Sequence, residues 1–157
     1  MNEYLFESRE ELKRLEHLIH VTLKYTRTVD VILNTLNRLI NTFDFIIEGL
    51  LDNAKDKNLL SFVPKSPSLK SDLLIKTYPD NPDFFKFISF YHFLREVANT
   101  SHTKREEYRR HVTLITEMKN KTAEIDIDTL ETFEKIAFQF FNYAQDFIEG
   151  KKVEVDD

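Results

Sequence analysis

From residue 12 to residue 54, one stripe of side chains recurs at alternating steps of three and four residues without a slip. Its members are mostly apolar: Leu12, Leu15, Ile19, Thr22, Thr26, Val29, Leu33, Leu36, Ile40, Phe43, Ile47, Leu50 and Ala54. This spacing places them on one face of an α-helix. A second stripe widens that face, and it consists of Leu18, Tyr25, Ile32, Leu39 and Ile46. The pattern predicts amphipathic helices around a globular core rather than a narrow coiled-coil seam.

A single straight helix across this stripe does not fit a chain of this length. About 50 helical residues extend about 75 Å, whereas a compact domain of 157 residues has a diameter of roughly 40 Å. The weakest place for a helix is the Thr-rich stretch "TLKYTRTVD", where Thr28 or Asp30 can cap a new helix. We predict one helix at about 3–24 and a second at about 28–56, with one long bent helix as the alternative.

The four prolines of the chain lie in one segment in the middle of the sequence. Ser66-Pro67 and Asn81-Pro82 each place a capping residue directly before a proline, which is the usual arrangement at the start of a helix. The first pair predicts a short helix from about 67 to 76, and the second pair predicts the start of a third main helix. We expect the segment to form a crossover between the long helices.

The second half of the chain predicts two further helices. The sequence "KREEYRRHVTLITEMKN" at 104–120 is expected to be helical, either as a continuation of the third helix or beyond a kink. Asp126 or Asp128 caps the last helix, and Gly150 ends it as a left-handed residue.

The predicted fold is all-α. Glycine occurs only twice in the chain, which leaves little material for hairpins and bulges. We therefore predict a single domain, an antiparallel bundle of four to five main helices over residues 1–150. The sequence "KKVEVDD" at residues 151–157 is expected to be a flexible C-terminal tail.

Charge and cysteine content exclude several classes of function. The formal net charge of −5 gives no overall attraction for nucleic acid, although a local basic patch remains possible. Cysteine is absent, which excludes disulfides, thiolate metal sites and cysteine nucleophiles. The N-terminus has no apolar run of the signal-peptide type, and no stretch approaches the ~20 apolar residues of a membrane span. We expect a cytoplasmic protein without membrane contact.

The histidines do not form a recognisable metal motif. Carboxylate di-iron bundles need Glu-x-x-His, and none of the five histidines has Glu three positions earlier. His17 and His20 in "EHLIH" lie one helical turn apart, but no HExxH motif accompanies them. Two histidines on an exposed helix flank are the simpler interpretation. The sequence predicts no metal site and no cofactor.

The stretch "LREVANTSHTKREEYRRH" at residues 94–111 concentrates polar residues that suit phosphate chemistry. Arg95, Asn99 and His102 stand at i, i+4 and i+7, so on a continuous helix they share one face. An Arg that holds a phosphate and a His that titrates near neutral pH can promote attack by an RNA 2′-hydroxyl. These three residues are the candidate catalytic site. The alternative is a solvent-exposed helix side with i,i+4 pairs.

An Arg followed by His after four to six residues, late in a small helical bundle, resembles the HEPN superfamily, and "REVANTSH" carries that spacing. The resemblance implies a compact, often dimeric bundle that is either a metal-independent ribonuclease or a non-catalytic binder of RNA or nucleotides. By that resemblance, Arg95 and His102 are the motif pair. Glu96 follows Arg95, where catalytic members usually carry a polar residue such as Asn. Because an acidic neighbour repels phosphate, the sequence favours the binding protein.

A second cluster is basic. "KREEYRRH" contains Arg105, Arg109 and Arg110 on neighbouring turns of a predicted helix. Together with Lys24 and Arg27 from the first helix junction, they are expected to form an anion-binding surface. The alternative is a solvated helix face, since two glutamates interrupt the cluster.

Two longer segments, "EHLIHVTLKYTRTVDVILNTLNRLI" and "FLREVANTSHTKREEYRRHVTLI", resemble segments of small, all-helical, uncharacterised archaeal proteins. That resemblance implies an archaeal source and no particular activity. The Phe-rich helices offer more apolar surface than one small bundle buries, so we predict a homodimer. For function, we predict a non-enzymatic HEPN-like protein that binds RNA, a nucleotide or a partner protein. The alternative is a metal-independent ribonuclease that uses Arg95 and His102.

Overall fold

The computed structural model describes residues 2–150, so the predicted tail at 151–157 lies outside the described residues. The helices in chain order are α1 (Glu3–His17), a π-helical segment (Leu18–Thr22), α2 (Leu23–Tyr25), α3 (Val29–Asp56), α4 (Pro67–Thr77), α5 (Pro82–Asn99) and α6 (Ile127–Glu149). Three strands lie between α5 and α6, and they are β1 (His102–Arg105), β2 (Thr113–Met118) and β3 (Lys121–Ile125).

The helices begin where local capping chemistry predicts. The side-chain oxygens of Thr28, Ser66, Asn81 and Asp126 each accept a hydrogen bond from the backbone N–H three residues further on. Of the paired alternatives, Thr28 rather than Asp30 caps α3, and Asp126 caps α6. The predicted break is confirmed, because the helical structure stops after Tyr25 and α3 begins at Val29. The alternative prediction of one long bent helix is wrong.

The all-α prediction is wrong in one region. Residues 104–120, predicted as a helix, contain the second half of β1, the loop at 106–112 and all of β2. The sheet is antiparallel with strand order β1–β2–β3. The run "VTLIT" is rich in β-branched residues, which suit a pleated strand better than a helix. Thr113, Leu114 and Thr116 of the central strand are buried, so the fold is mainly helical with a small sheet.

The core is built around α3. This helix packs against α1, α4, α5 and α6, and it also contacts β2. Aromatic rings fill the space between α3, α5 and α6, where the ring centroid of Phe43 lies 5.1 Å from that of Phe140 and 5.7 Å from that of Phe90. The β1–β2 loop lies against the junction of α2 and α3, where Tyr108 is hydrogen-bonded to Arg27.

Candidate functional site

Arg95, Asn99 and His102 do not share a helix face. Helix α5 ends at Asn99, and His102 is the first residue of β1, where it pairs in register with Thr116. The i, i+4, i+7 relation therefore does not apply, because Thr100 is already in an extended conformation. Asn99 and His102 are both exposed to solvent.

Arg95 belongs to a cluster between α3 and α5. Its guanidinium lies 5.6 Å from the centroid of the Tyr91 ring, and the Tyr91 hydroxyl donates a hydrogen bond to the carboxylate of Asp44. Burial raises the pKa of Asp44, while the hydrogen bond from Tyr91 and the charge of Arg95 act in the opposite direction. Arg95 thus helps to hold a partly buried carboxylate in its charged form.

The three arginines predicted to bind anions lie in three different environments. Arg105 on β1 forms a salt bridge of 2.8 Å with Glu124 on β3. Arg109 lies exposed in the β1–β2 loop, where its carbonyl accepts a hydrogen bond from Val112. Arg110 lines a cleft, and Lys24 and Arg27 line the same cleft. Of the five residues predicted to form one anion-binding surface, Lys24, Arg27 and Arg110 line the cleft, whereas Arg105 and Arg109 do not line it.

This cleft, called the hairpin cleft below, has a volume of about 330 Å³ and opens to solvent. Its lining residues are Ile19, His20, Lys24, Arg27, Arg110, His111, Asp126, Ile127, Asp128 and Glu131. They come from the π-helical segment, α2, the α2–α3 junction, the β1–β2 loop and the start of α6. The site therefore depends on the hairpin that the sequence did not predict.

The β1–β2 loop is anchored against the helix junction. The backbone N–H of Tyr108 donates a hydrogen bond of 2.7 Å to the carbonyl of Arg27. Glu106 and Tyr108 adopt φ values of 56° and 66°, a region that non-glycine residues rarely occupy. Such strained backbone persists where the surrounding contacts fix it, and it is frequent at functional sites. Val112, fully buried, secures the other end of the loop.

His20 reaches the cleft with a carboxylate behind it. Its Nε2 lies 2.8 Å from Oε1 of Glu134 on α6. Glu134 is only 8% exposed, and its second oxygen has no hydrogen-bond partner among residues 2–150. The hydrogen bond to Glu134 is the main cause that raises the pKa of His20, and the nearby charges of Glu131 and Glu16 add to it.

Basic side chains and carboxylates both line the hairpin cleft. Lys24, Arg27 and Arg110 come from α2, the α2–α3 junction and the β1–β2 loop, whereas Asp128 and Glu131 come from α6. The remaining carboxylate of the cleft, at the start of α6, already accepts hydrogen bonds as the helix cap. A phosphate suits the three cations through charge-assisted hydrogen bonds. Hydroxyl and amino donors of the same ligand suit the two carboxylates.

Sequence reasoning missed the histidines and carboxylates of this site. The sequence suggests His20 only as a metal ligand with His17, and His17 lines a different depression on α1. His111 and Glu134 belong to no local motif. Only the fold brings Glu134 into hydrogen-bond contact with His20 and places His111 in the same cleft. The one usable signal was the basic character of both "LKYTR" and "YRRH".

Two further structural properties concern the described residues as a whole. Between residues 2 and 150, no three His, Asp or Glu side chains come close enough together to hold a metal ion. None of the helices in that range is both long and apolar enough to cross a membrane.

Comparisons with family models, with curated proteins and with solved structures find no match for this chain.

Proposed function

We propose that this protein binds a phosphate-bearing ligand of the nucleotide or RNA type, and that the hairpin cleft is the binding site. The observation that carries the proposal is that Lys24, Arg27 and Arg110 line one cleft. Like charges that share a cleft repel one another, and a bound anion relieves that repulsion. The cleft volume of about 330 Å³ is within the usual range for small-ligand sites, about 300–1,000 Å³.

The guanidinium chemistry of Arg27 supports the same proposal. Arg27 lines the cleft, and the planar guanidinium fork matches phosphate geometry. The HEPN-like resemblance implies the same class of ligand and remains part of the proposal.

The first test is binding by Arg110→Gln. We expect this substitution to weaken binding at least about tenfold, equivalent to ~1.4 kcal/mol, because it removes one charge-assisted contact. Fluorescence anisotropy with a labelled single-stranded RNA and calorimetry with adenosine monophosphate distinguish the two ligand sources. The salt dependence of RNA binding should also become shallower by about one unit of slope.

Arg105→Gln is the matched control. It removes an arginine from the same hairpin, but Arg105 pairs with Glu124 and does not line the cleft. We expect this control to bind within about twofold of the wild type. The proposal fails if the wild type binds neither probe, or if both arginine variants lose binding equally.

The homodimer is a further proposal. Several large apolar side chains on and around α4 and α5 are exposed, and they are Leu59, Phe62, Leu69 and Phe85. Burying such side chains against a second copy removes apolar surface from water. Light scattering should give a particle of twice the 18.7 kDa chain mass. A particle with the mass of one chain at micromolar concentration would refute the dimer.

The alternative ribonuclease centred on Arg95, Asn99 and His102 also stays a proposal. The engagement of Arg95 with Tyr91 and Asp44 favours a structural role for that arginine. The exposed position of His102 leaves it open to test by substitution, and the cleavage experiment below includes it.

A further inference from the structure

Two histidines and three cations line the hairpin cleft. We propose that, beyond binding, the hairpin cleft cleaves single-stranded RNA, with His111 as the general base and His20 as the general acid. This inference rests on the proposed function, since the RNA must bind in the cleft before it is cleaved. It replaces Arg95 and His102 with a different pair of residues on a different face of the molecule.

His20 has the geometry of an oriented acid. A histidine whose one ring nitrogen is fixed by a carboxylate presents the other nitrogen in a defined direction. Glu134 binds Nε2 of His20, which leaves Nδ1 for the substrate. The same hydrogen bond raises the pKa of His20, so the imidazolium form persists closer to neutral pH. A protonated His20 is suited to donate a proton to a leaving oxygen.

His111 is placed to act as the base. It lies exposed in the strained β1–β2 loop and lines the same cleft as His20. The hydroxyl of Thr113 donates a hydrogen bond of 2.8 Å to the carbonyl of His111, which fixes the backbone at this residue. The anchor between Tyr108 and Arg27 fixes the loop as a whole.

No hydroxyl or thiol side chain lines the cleft. Among the described residues that line it, none is Ser, Thr, Tyr or Cys. A substrate that carries its own nucleophile fits this composition, and the 2′-hydroxyl of RNA is such a group. DNA lacks that hydroxyl, so the inference is specific for RNA.

The reaction balances without a co-reactant. His111 takes the proton of the 2′-hydroxyl, and the 2′-oxygen forms a bond to phosphorus. The bond from phosphorus to the 5′-oxygen breaks, and His20 gives its proton to that oxygen. The products are one fragment with a 2′,3′-cyclic phosphate and one with a free 5′-hydroxyl. Exchange of protons with water restores both histidines.

The cations of the cleft stabilise the transition state. Negative charge builds up on the phosphoryl oxygens as the 2′-oxygen attacks, and fixed cations at that position lower the barrier. Lys24, Arg27 and Arg110 supply these cations, since all three line the cleft. The carboxylates of Asp128 and Glu131 repel the phosphate, which favours its binding at the cations.

Two exposed tyrosines indicate a single-stranded substrate. Tyr25 is 84% exposed and Tyr108 is 79% exposed. Tyr25 stands two residues before Arg27, and Tyr108 is hydrogen-bonded to the backbone of Arg27. Exposed aromatic rings near basic side chains are the usual platform on which unpaired bases stack. A duplex keeps its bases inaccessible to such stacking.

The experiment is cleavage of a labelled single-stranded RNA by the purified full chain in EDTA. We expect His20→Asn and His111→Asn each to reduce the cleavage rate at least about 100-fold, the typical contribution of a general acid or base. His92→Asn is the matched control, because His92 is exposed on α5 and does not line the cleft. Mapping of the product ends should show the cyclic phosphate and the 5′-hydroxyl.

A fully 2′-O-methylated RNA of the same sequence separates binding from cleavage. If the wild type binds it but leaves normal RNA intact, the inference is overturned and the proposed function stands. If the wild type binds neither RNA, both fail. Cleavage that survives His20→Asn and His111→Asn but is lost in His102→Asn overturns the inference in favour of the site on β1.

Glu134 is a positioning residue in this scheme, and a pH profile tests it. The rate should fall as pH rises through the pKa of His20, because the acid must be protonated. Glu134→Gln removes the charge that raises this pKa, so the alkaline limb of the profile should move to lower pH. The other charged groups near His20, Glu16, Glu131 and Lys24, remain unchanged. A purely structural role for Glu134 would lower the rate equally at all pH values and would contradict the assignment.

Discussion

Replacing Phe43 with Ala is expected to lower the free energy of unfolding by about 3–5 kcal/mol. Phe43 is fully buried at the centre of α3. Its ring centroid lies 5.1 Å from that of Phe140, 5.7 Å from that of Phe90 and 6.1 Å from that of Tyr91. The substitution removes contacts with α5 and α6 at once, and the surrounding helices cannot collapse into the space that remains. Urea unfolding followed by circular dichroism measures the loss.

Phe6→Ala is the control for this prediction. Phe6 lies on α1 but is 46% exposed, so the same chemical change should cost far less than in the core. If the two variants unfold at the same urea concentration, Phe43 does not lie at the centre of the core.

The helices could be predicted because the signals that form them are local. Each helix cap accepts a hydrogen bond from a backbone N–H only three residues further along the chain. The caps are Thr28, Ser66, Asn81 and Asp126. The apolar stripe that defines α3 is also readable within one segment, since helix periodicity depends only on spacing. Gly150, with a φ of 72°, ends α6 for an equally local reason.

The sheet could not be predicted in the same way. Residues 104–111 are rich in Lys, Arg and Glu, which are good helix formers, and their local composition favours a helix. The segment forms a strand instead because β2 is buried against the core and pairs with β1 and β3. Those contacts are made between segments, and a periodicity argument within one segment does not include them.

The same difference explains what was predicted of the site. The positive charges of Lys24, Arg27 and Arg110 are visible in the sequence, and their composition alone suggests a shared anion-binding surface. Their relation to His20 and Glu134 depends on where the hairpin turns and on which face of α6 points inward. A π-helical segment at Leu18–Thr22 also changes the direction of His20, and no rule of sequence spacing indicates such a segment.

Tyr91→Phe is expected to lower the free energy of unfolding at neutral pH by about 1.5–3 kcal/mol, the usual contribution of a hydrogen bond to a charged group. The ring stays in place, so only the hydroxyl that donates to Asp44 is lost. Burial raises the pKa of Tyr91, which keeps this hydroxyl protonated and able to donate. Arg95 remains beside Asp44 and compensates only in part, since its guanidinium also lies over the Tyr91 ring.

The pH dependence of this loss identifies its cause. Burial raises the folded-state pKa of Asp44 above its ordinary value of 3.8, so the folded protein takes up the Asp44 proton at higher pH than the unfolded chain does. As pH falls through that raised pKa, Asp44 becomes neutral, and the missing hydroxyl costs less. The penalty of Tyr91→Phe should therefore shrink between neutral pH and pH 3.8. Tyr78→Phe is the control: the Tyr78 hydroxyl has no hydrogen-bond partner among residues 2–150, so its loss should change the free energy of unfolding little and equally at both pH values. Equal penalties for Tyr91→Phe at both pH values would mean that the hydroxyl does not stabilise the charged form of Asp44, and that Arg95 alone holds this carboxylate.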